Sequence, residues 1–169
     1  MKKGVLVAVL VALIIGVVVA GVILDLDSWR SCGRLRADLE GARAVTMEEY
    51  VRGKTIARKV ATPDEIVRLQ NASRTWRRPF YPDVANCFVP HHDLEITRSN
   101  GSKVIVQICF LCGQFGFQSD EKPVAVALPP SLSGALTVFF TSVGMKPKTY
   151  EEYRDIEVAA SQSDQTQQQ

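Results

Sequence analysis

The chain has 169 residues, 46% of them apolar, and its 20 Lys and Arg face 18 Asp and Glu for a formal charge of +2. That length admits one ordinary domain beside a short extra segment, and the charge balance offers none of the basic excess that nucleic-acid binders carry. No internal repeat, phosphate-cradling glycine loop or G-x-S-x-G element occurs, so the common nucleotide and hydrolase signatures are excluded.

The N-terminus reads MKKGVLVAVLVALIIGVVVAGVILDLD. Residues 4–24 carry no charge, and roughly 20 such residues at 1.5 Å each cross a ~30 Å hydrocarbon core. No water is present there to satisfy backbone polar groups, so such a segment must be a helix. A signal peptide cut after Ala20 is the rival reading, but its apolar region usually runs only about 7–15 residues. The longer run favours a retained signal anchor. Lys2 and Lys3 hold the N-terminal end in the cytoplasm, although Arg30, Arg34 and Arg36 beyond the far end weaken that bias. With Lys2 and Lys3 set aside, 18 basic residues balance 18 acidic ones, so the part after the anchor carries no net charge.

The expectation is a single-pass protein of a bacterial inner (cytoplasmic) membrane. Residues 1–27 form the anchor, 28–148 an α+β extracytoplasmic domain, and 149–169 a C-terminal helix with a disordered Gln/Ser-rich tail. The membrane is the one partner the sequence names. Nucleic acid is not expected, and a protein partner is not specified.

After the anchor, residues 28–40 predict a short helix closed by Gly41. Residues 42–51 alternate as a strand, with Val45, Met47 and Val51 on one parity, and 55–61 predict its hairpin partner across the Arg52–Gly53–Lys54 turn. Thr62, Pro63 and Glu65 make a capping box with proline at the first helical position, which opens a helix. Residues 73–86 combine arginines, aromatics and two prolines. They predict an extended edge or loop, either covering the core or offering a basic, aromatic patch to an anionic surface.

Two strands at 93–98 and 103–110 flank Ser-Asn-Gly-Ser, and Asn-Gly is the favoured two-residue type I′ turn. Closing the turn on Asn100 and Gly101 pairs Ile96 with Ile105, Leu94 with Gln107 and His92 with Cys109. The apolar parity is even up to Phe110 and odd at Phe115 and Phe117, which predicts a bulge or turn beside Gly113. A short strand at 124–128, a helix over 131–142 and a helix capped by Thr149 with Glu152 complete the chain. The fold class is therefore α+β: an N-terminal transmembrane helix, then an antiparallel sheet of four to five strands packed with two or three helices.

The chemistry-bearing residues gather in CFVPHH and CFLCG: Cys87, His91, His92, Cys109 and Cys112. Zinc is the candidate cofactor, since Cys-x-x-Cys-Gly can offer two thiolates and Cys-x3-His two further ligands of a four-coordinate site. Along a straight strand three residues span ~10 Å, so zinc demands a turn at 109–113. A structural disulfide among Cys87, Cys109 and Cys112 is the rival, favoured by an oxidising compartment. Inert core cysteines stand equally open. Thiol-redox catalysis is disfavoured, because reactive Cys-x-x-Cys pairs sit at helix N-termini and this one ends a strand. No catalytic set emerges, and a non-enzymatic binding or envelope accessory domain is the expectation.

The order of these motifs, a T-x-x-E helix, CF-x-P-x-H, a hairpin, ICF-x-C-G and a closing helix bearing Phe139, Phe140, Gly144 and Met145, resembles a family of small bacterial exported proteins over about residues 60–145. That family has no assigned activity, so the resemblance implies the fold and the pairing of the two motifs.

Overall fold

The computed structural model describes residues 3–76, 88–118 and 125–166, with side chains described at 9–16, 28–76, 88–118 and 125–160. The elements run α1 (Lys3–Glu40), β1 (Ala42–Val51), β2 (Lys54–Val60), α2 (Pro63–Ser73), β3 (His92–Arg98), β4 (Lys103–Cys109), β5 (Gln114–Phe117), β6 (Ala125–Ala127), α3 (Pro130–Ser142) and α4 (Tyr150–Thr166). The fold is α+β. Its sheet is antiparallel in the order β2-β1-β3-β4-β5-β6, six strands where four to five were expected. Of the bulge or turn expected beside Gly113, the chain takes the turn, which creates an additional strand.

Among the described residues no helix is long and apolar enough to cross a membrane. Helix α1 is nevertheless continuous through position 27, the expected boundary between anchor and domain. Gly33 does not interrupt it, because Ser28, Cys32, Leu35 and Leu39 recur at helical spacing and are all buried against the domain. Burial of that stripe outweighs the roughly 1 kcal/mol that a helical glycine costs.

Strand β1 buries Val45, Met47, Glu49 and Val51 in strict alternation, and β3 and β4 bury their even positions. These residues meet α1, α2 and α3 in one core around Leu69, Leu94, Ile96, Val106, Phe115, Leu136 and Phe140. Helix α2 opens on the expected reciprocal cap: Glu65 N–H donates to Thr62 Oγ1 at 3.3 Å, and Thr62 N–H donates to Glu65 Oε2 at 2.9 Å. Gln70 Nε2 donates to the Leu39 carbonyl at 2.9 Å, fastening α2 to the end of α1. Arg98 pairs with the nearly buried Asp38 at 2.6 Å and ties the β3–β4 hairpin to the same helix.

The register of that hairpin differs from the expected one. Ile96 faces Val104, Leu94 faces Val106, and His92 faces Ile108, not Cys109. The loop holds Ser99, Asn100 and Gly101, closed by an Arg98 N–H to Ser102 carbonyl bond of 2.8 Å. Only Gly101 has a positive φ, 82°, whereas a type I′ turn needs one at Asn100 too. Parity explains the slip. Both strands carry their apolar residues at even positions, and the expected pairing would have set Leu94 against Gln107.

Helix α4 begins on a second reciprocal cap between Thr149 and Glu152 and extends to Thr166. Residues 161–166, expected to be disordered, are thus helical, and 167–169 lie outside the described residues. So does most of the arginine- and proline-rich segment; of its described residues, Ser73 ends α2 and Arg74 caps it instead of running extended, and Trp76 packs against the core.

Candidate functional site

The β4–β5 connection is a tight turn. Cys109 pairs with Gln114, Gly113 takes a φ of 61° that favours glycine, and Gly113 N–H reaches the Phe110 carbonyl at 3.4 Å. Inside the turn the Cys112 backbone N–H donates to Cys109 Sγ at 3.1 Å. The turn that a shared thiol site demands is thus present. Strand β6 supports it from outside, Leu128 N–H donating to the Gly113 carbonyl at 2.8 Å.

The two histidines go to different places. His92 is 1% exposed, edge-on to Phe110 and Phe140 with ring centroids at 5.2 and 5.0 Å. Its Nε2 lies 3.3 Å from the Met145 carbonyl, which makes Nε2 the protonated nitrogen, and Nδ1 is buried without a hydrogen-bond partner. Burial pushes its pKa down to about 4, against a smaller upward pull from Glu49. His92 is a neutral core histidine. His91 instead stacks on Tyr153 at 3.8 Å and 14°, with Nδ1 3.1 Å from the Tyr50 carbonyl.

Tyr153 belongs to α4, and it fastens that helix over the sheet end. Its hydroxyl donates to Glu49 Oε1 at 3.4 Å. Lys148 Nζ donates to the same oxygen. Arg52 pairs with Glu157 at 2.9 Å, a second tie between the β1–β2 turn and α4. Between α4 and the β4–β5 turn lies a pocket of about 360 Å³. Val89, Leu111 and Tyr150 supply apolar walls, His91, Cys109 and Cys112 an imidazole and two sulfurs, and Arg154 and Glu157 the charged rim.

Of the residues singled out in the sequence, the structure brings His91, Cys109 and Cys112 to one pocket and sends His92 into the core. Cys87 lies outside the described residues. Cys109 takes part in no disulfide. Among the described residues no three His, Cys, Asp or Glu side chains are placed to hold a metal ion, so zinc finds no complete ligand set there. Cys32 is remote from the pocket, and burial pushes its thiol up to about 12, which makes it inert.

Glu49, Lys148 and Tyr153 were not anticipated. Glu49 did carry a signal, an acidic residue at a core-parity position of β1, buried to 2%. A charge placed there needs a partner. Lys148 and Tyr153 come from far along the chain and had no local signal.

No family model, curated protein or solved structure matches the chain. The resemblance carried by CFVPHH and CFLCG therefore rests on those motifs alone.

Proposed function

We propose that the chain is a single-pass membrane protein whose α+β domain lies outside the cytoplasm and serves as a non-enzymatic binding module. The pocket between α4 and the β4–β5 turn carries this reading. It has the mixed character of a small-ligand site, apolar walls with a few convergent polar groups, and among the described residues no nucleophile–base–orienter set accompanies it. The anchor rests on the uncharged run 4–24 inside α1. Val9, Leu10, Val11, Leu13, Ile14 and Ile15 are all exposed, so this part of the helix has no polar side to turn toward water.

Two measurements test the proposal. The full chain should remain with membranes through an alkaline carbonate wash, and release by that wash would remove the anchor. A small-fragment screen followed by backbone amide shifts should cluster on Val89, His91, Leu111 and Tyr153. Fragments that cluster elsewhere, or nowhere, would remove the pocket as the binding site.

A metal-binding role for the same pocket is the second reading, favoured by the Cys112 N–H to Cys109 Sγ bond, an arrangement that holds sulfur for a soft ligand. It requires Cys87 as a further ligand. About one zinc per chain in the purified protein, lost in Cys109→Ser, would support it.

A further inference from the structure

The unbroken course of α1 fixes how far the domain stands from the membrane that the proposed anchor enters. The apolar run ends at Leu24, and the helix is already buried in the domain at Ser28. One helical turn separates them, ~6 Å of rise. Each headgroup layer is itself about 5–8 Å thick. A flexible linker would let the domain float, but here the same rigid helix contributes Cys32, Leu35 and Leu39 to the core.

The side chains at this junction suit such a position. Trp29 is 44% exposed although it adjoins a buried serine, and an exposed indole one turn past a hydrocarbon span is what an interfacial anchor requires. Arg30 is exposed beside it. One turn further, the Arg34 guanidinium lies 4.0 Å over the Phe117 ring and 3.8 Å from Asp38. In the sequence Asp25 and Asp27 precede Arg30, so the junction offers both signs of charge. That combination complements a zwitterionic headgroup, an ammonium and a phosphate together, and makes no demand for anionic lipid.

We infer that the folded domain is seated directly on the bilayer, with Trp29 and Arg30 in the zwitterionic headgroup layer of the membrane that holds α1. This rests on the anchor reading above. The domain is then a membrane-surface module, held at a fixed distance and tilt instead of reaching out on a tether.

The test uses the full chain in phosphatidylcholine vesicles. Trp76→Phe leaves Trp29 as the sole tryptophan, with Trp76→Tyr as the substitute if phenylalanine disturbs folding. Lipids brominated high on the acyl chain should quench Trp29 several-fold more than lipids brominated near the chain end, and acrylamide should reach it poorly. Adding phosphatidylglycerol should change neither result. Free access of acrylamide without lipid quenching would overturn the seating, and strict dependence on phosphatidylglycerol would overturn the zwitterionic assignment. An Ile14→Trp reporter, in a chain with Trp29 and Trp76 both replaced by Phe, separates the two layers of the argument. Deep quenching at position 14 without quenching at Trp29 refutes the seating alone, and no quenching at position 14 refutes the anchor.

Discussion

On the helix-covered face of the sheet, Leu94, Ile96, Val106, Ile108 and Phe115 are closed to solvent, and His92 lies among them. On the other face its chain neighbour Asp93 accepts from the Tyr50 hydroxyl at 3.0 Å, and Gln107 Nε2 approaches that hydroxyl at 3.4 Å. Both residues are displaced from their ordinary protonation chemistry by burial, with opposite consequences. His92 is pushed down to about 4 and Asp93 up to about 6. His92 is thereby held neutral, whereas Asp93 takes up its proton only as the pH falls through about 6. The difference teaches that the covered face is built for packing and admits polar groups only when uncharged, as His92 is, or paired, as Glu49 is with Lys148. The sheet end beyond it, where α4 lies, is where the two cysteines and charged side chains line a pocket.

Substitutions on the two sides should separate stability from site architecture. The largest effect belongs to the covered face. Phe140 is fully buried and touches His92, Phe110 and Phe139, so Phe140→Ala should cost about 3–5 kcal/mol in urea unfolding. A cost below about 1 kcal/mol would mean that the packing there is not as described. Glu49→Ala strips Lys148 and Tyr153 of their shared acceptor and should cost about 2 kcal/mol. Its signature is local: amides of α4 should lose hydrogen-exchange protection before those of β3 and β4 do.

The pH dependence divides the two faces directly. Between pH 6.5 and 4 the unfolded chain takes a proton at His92 that the folded chain refuses, so this residue makes stability fall as pH falls. Between about 6 and 3.8 the folded chain holds a proton at Asp93 that the unfolded chain has shed, so this residue makes stability rise as pH falls. Unfolding of His92→Phe should therefore lose part of the acid sensitivity, and Asp93→Asn should steepen it. Both variants moving the slope in the same direction would refute the assignment.

The smallest effect tests the β3–β4 turn. Gly101 has a φ of 82° and open space around its missing side chain, so Gly101→Ala should cost only about 1–2 kcal/mol, all of it backbone strain.

Local signals were legible in the sequence, and long-range ones were not. The caps at Thr62 and Thr149 could be read because each is complete within four positions, and β1 because its parity never breaks. The hairpin register was misread where a turn preference was allowed to outrank apolar parity; the even positions of β3 and β4 already required Leu94 to face Val106. Continuity of α1 past Gly33 was hidden, because it depends on Leu35 and Leu39 finding a sheet to pack on. The pocket was half legible. Cys109, Cys112 and His91 were marked by residue type, whereas Tyr153 and Lys148 reach Glu49 from beyond the last strand and leave no pattern near it. Which histidine belonged with the cysteines could not be read from adjacent letters, since it depends on the face each one takes.

That division between His91 at the pocket and His92 in the core is the central claim, and the ring resonances of His92 test it most directly. Followed by NMR through a pH titration of the full chain, the His92 ring should titrate near 4 and should not respond to added zinc. A midpoint near the ordinary 6.5, or a shift on adding zinc, would put His92 back among the cysteines and contradict the account.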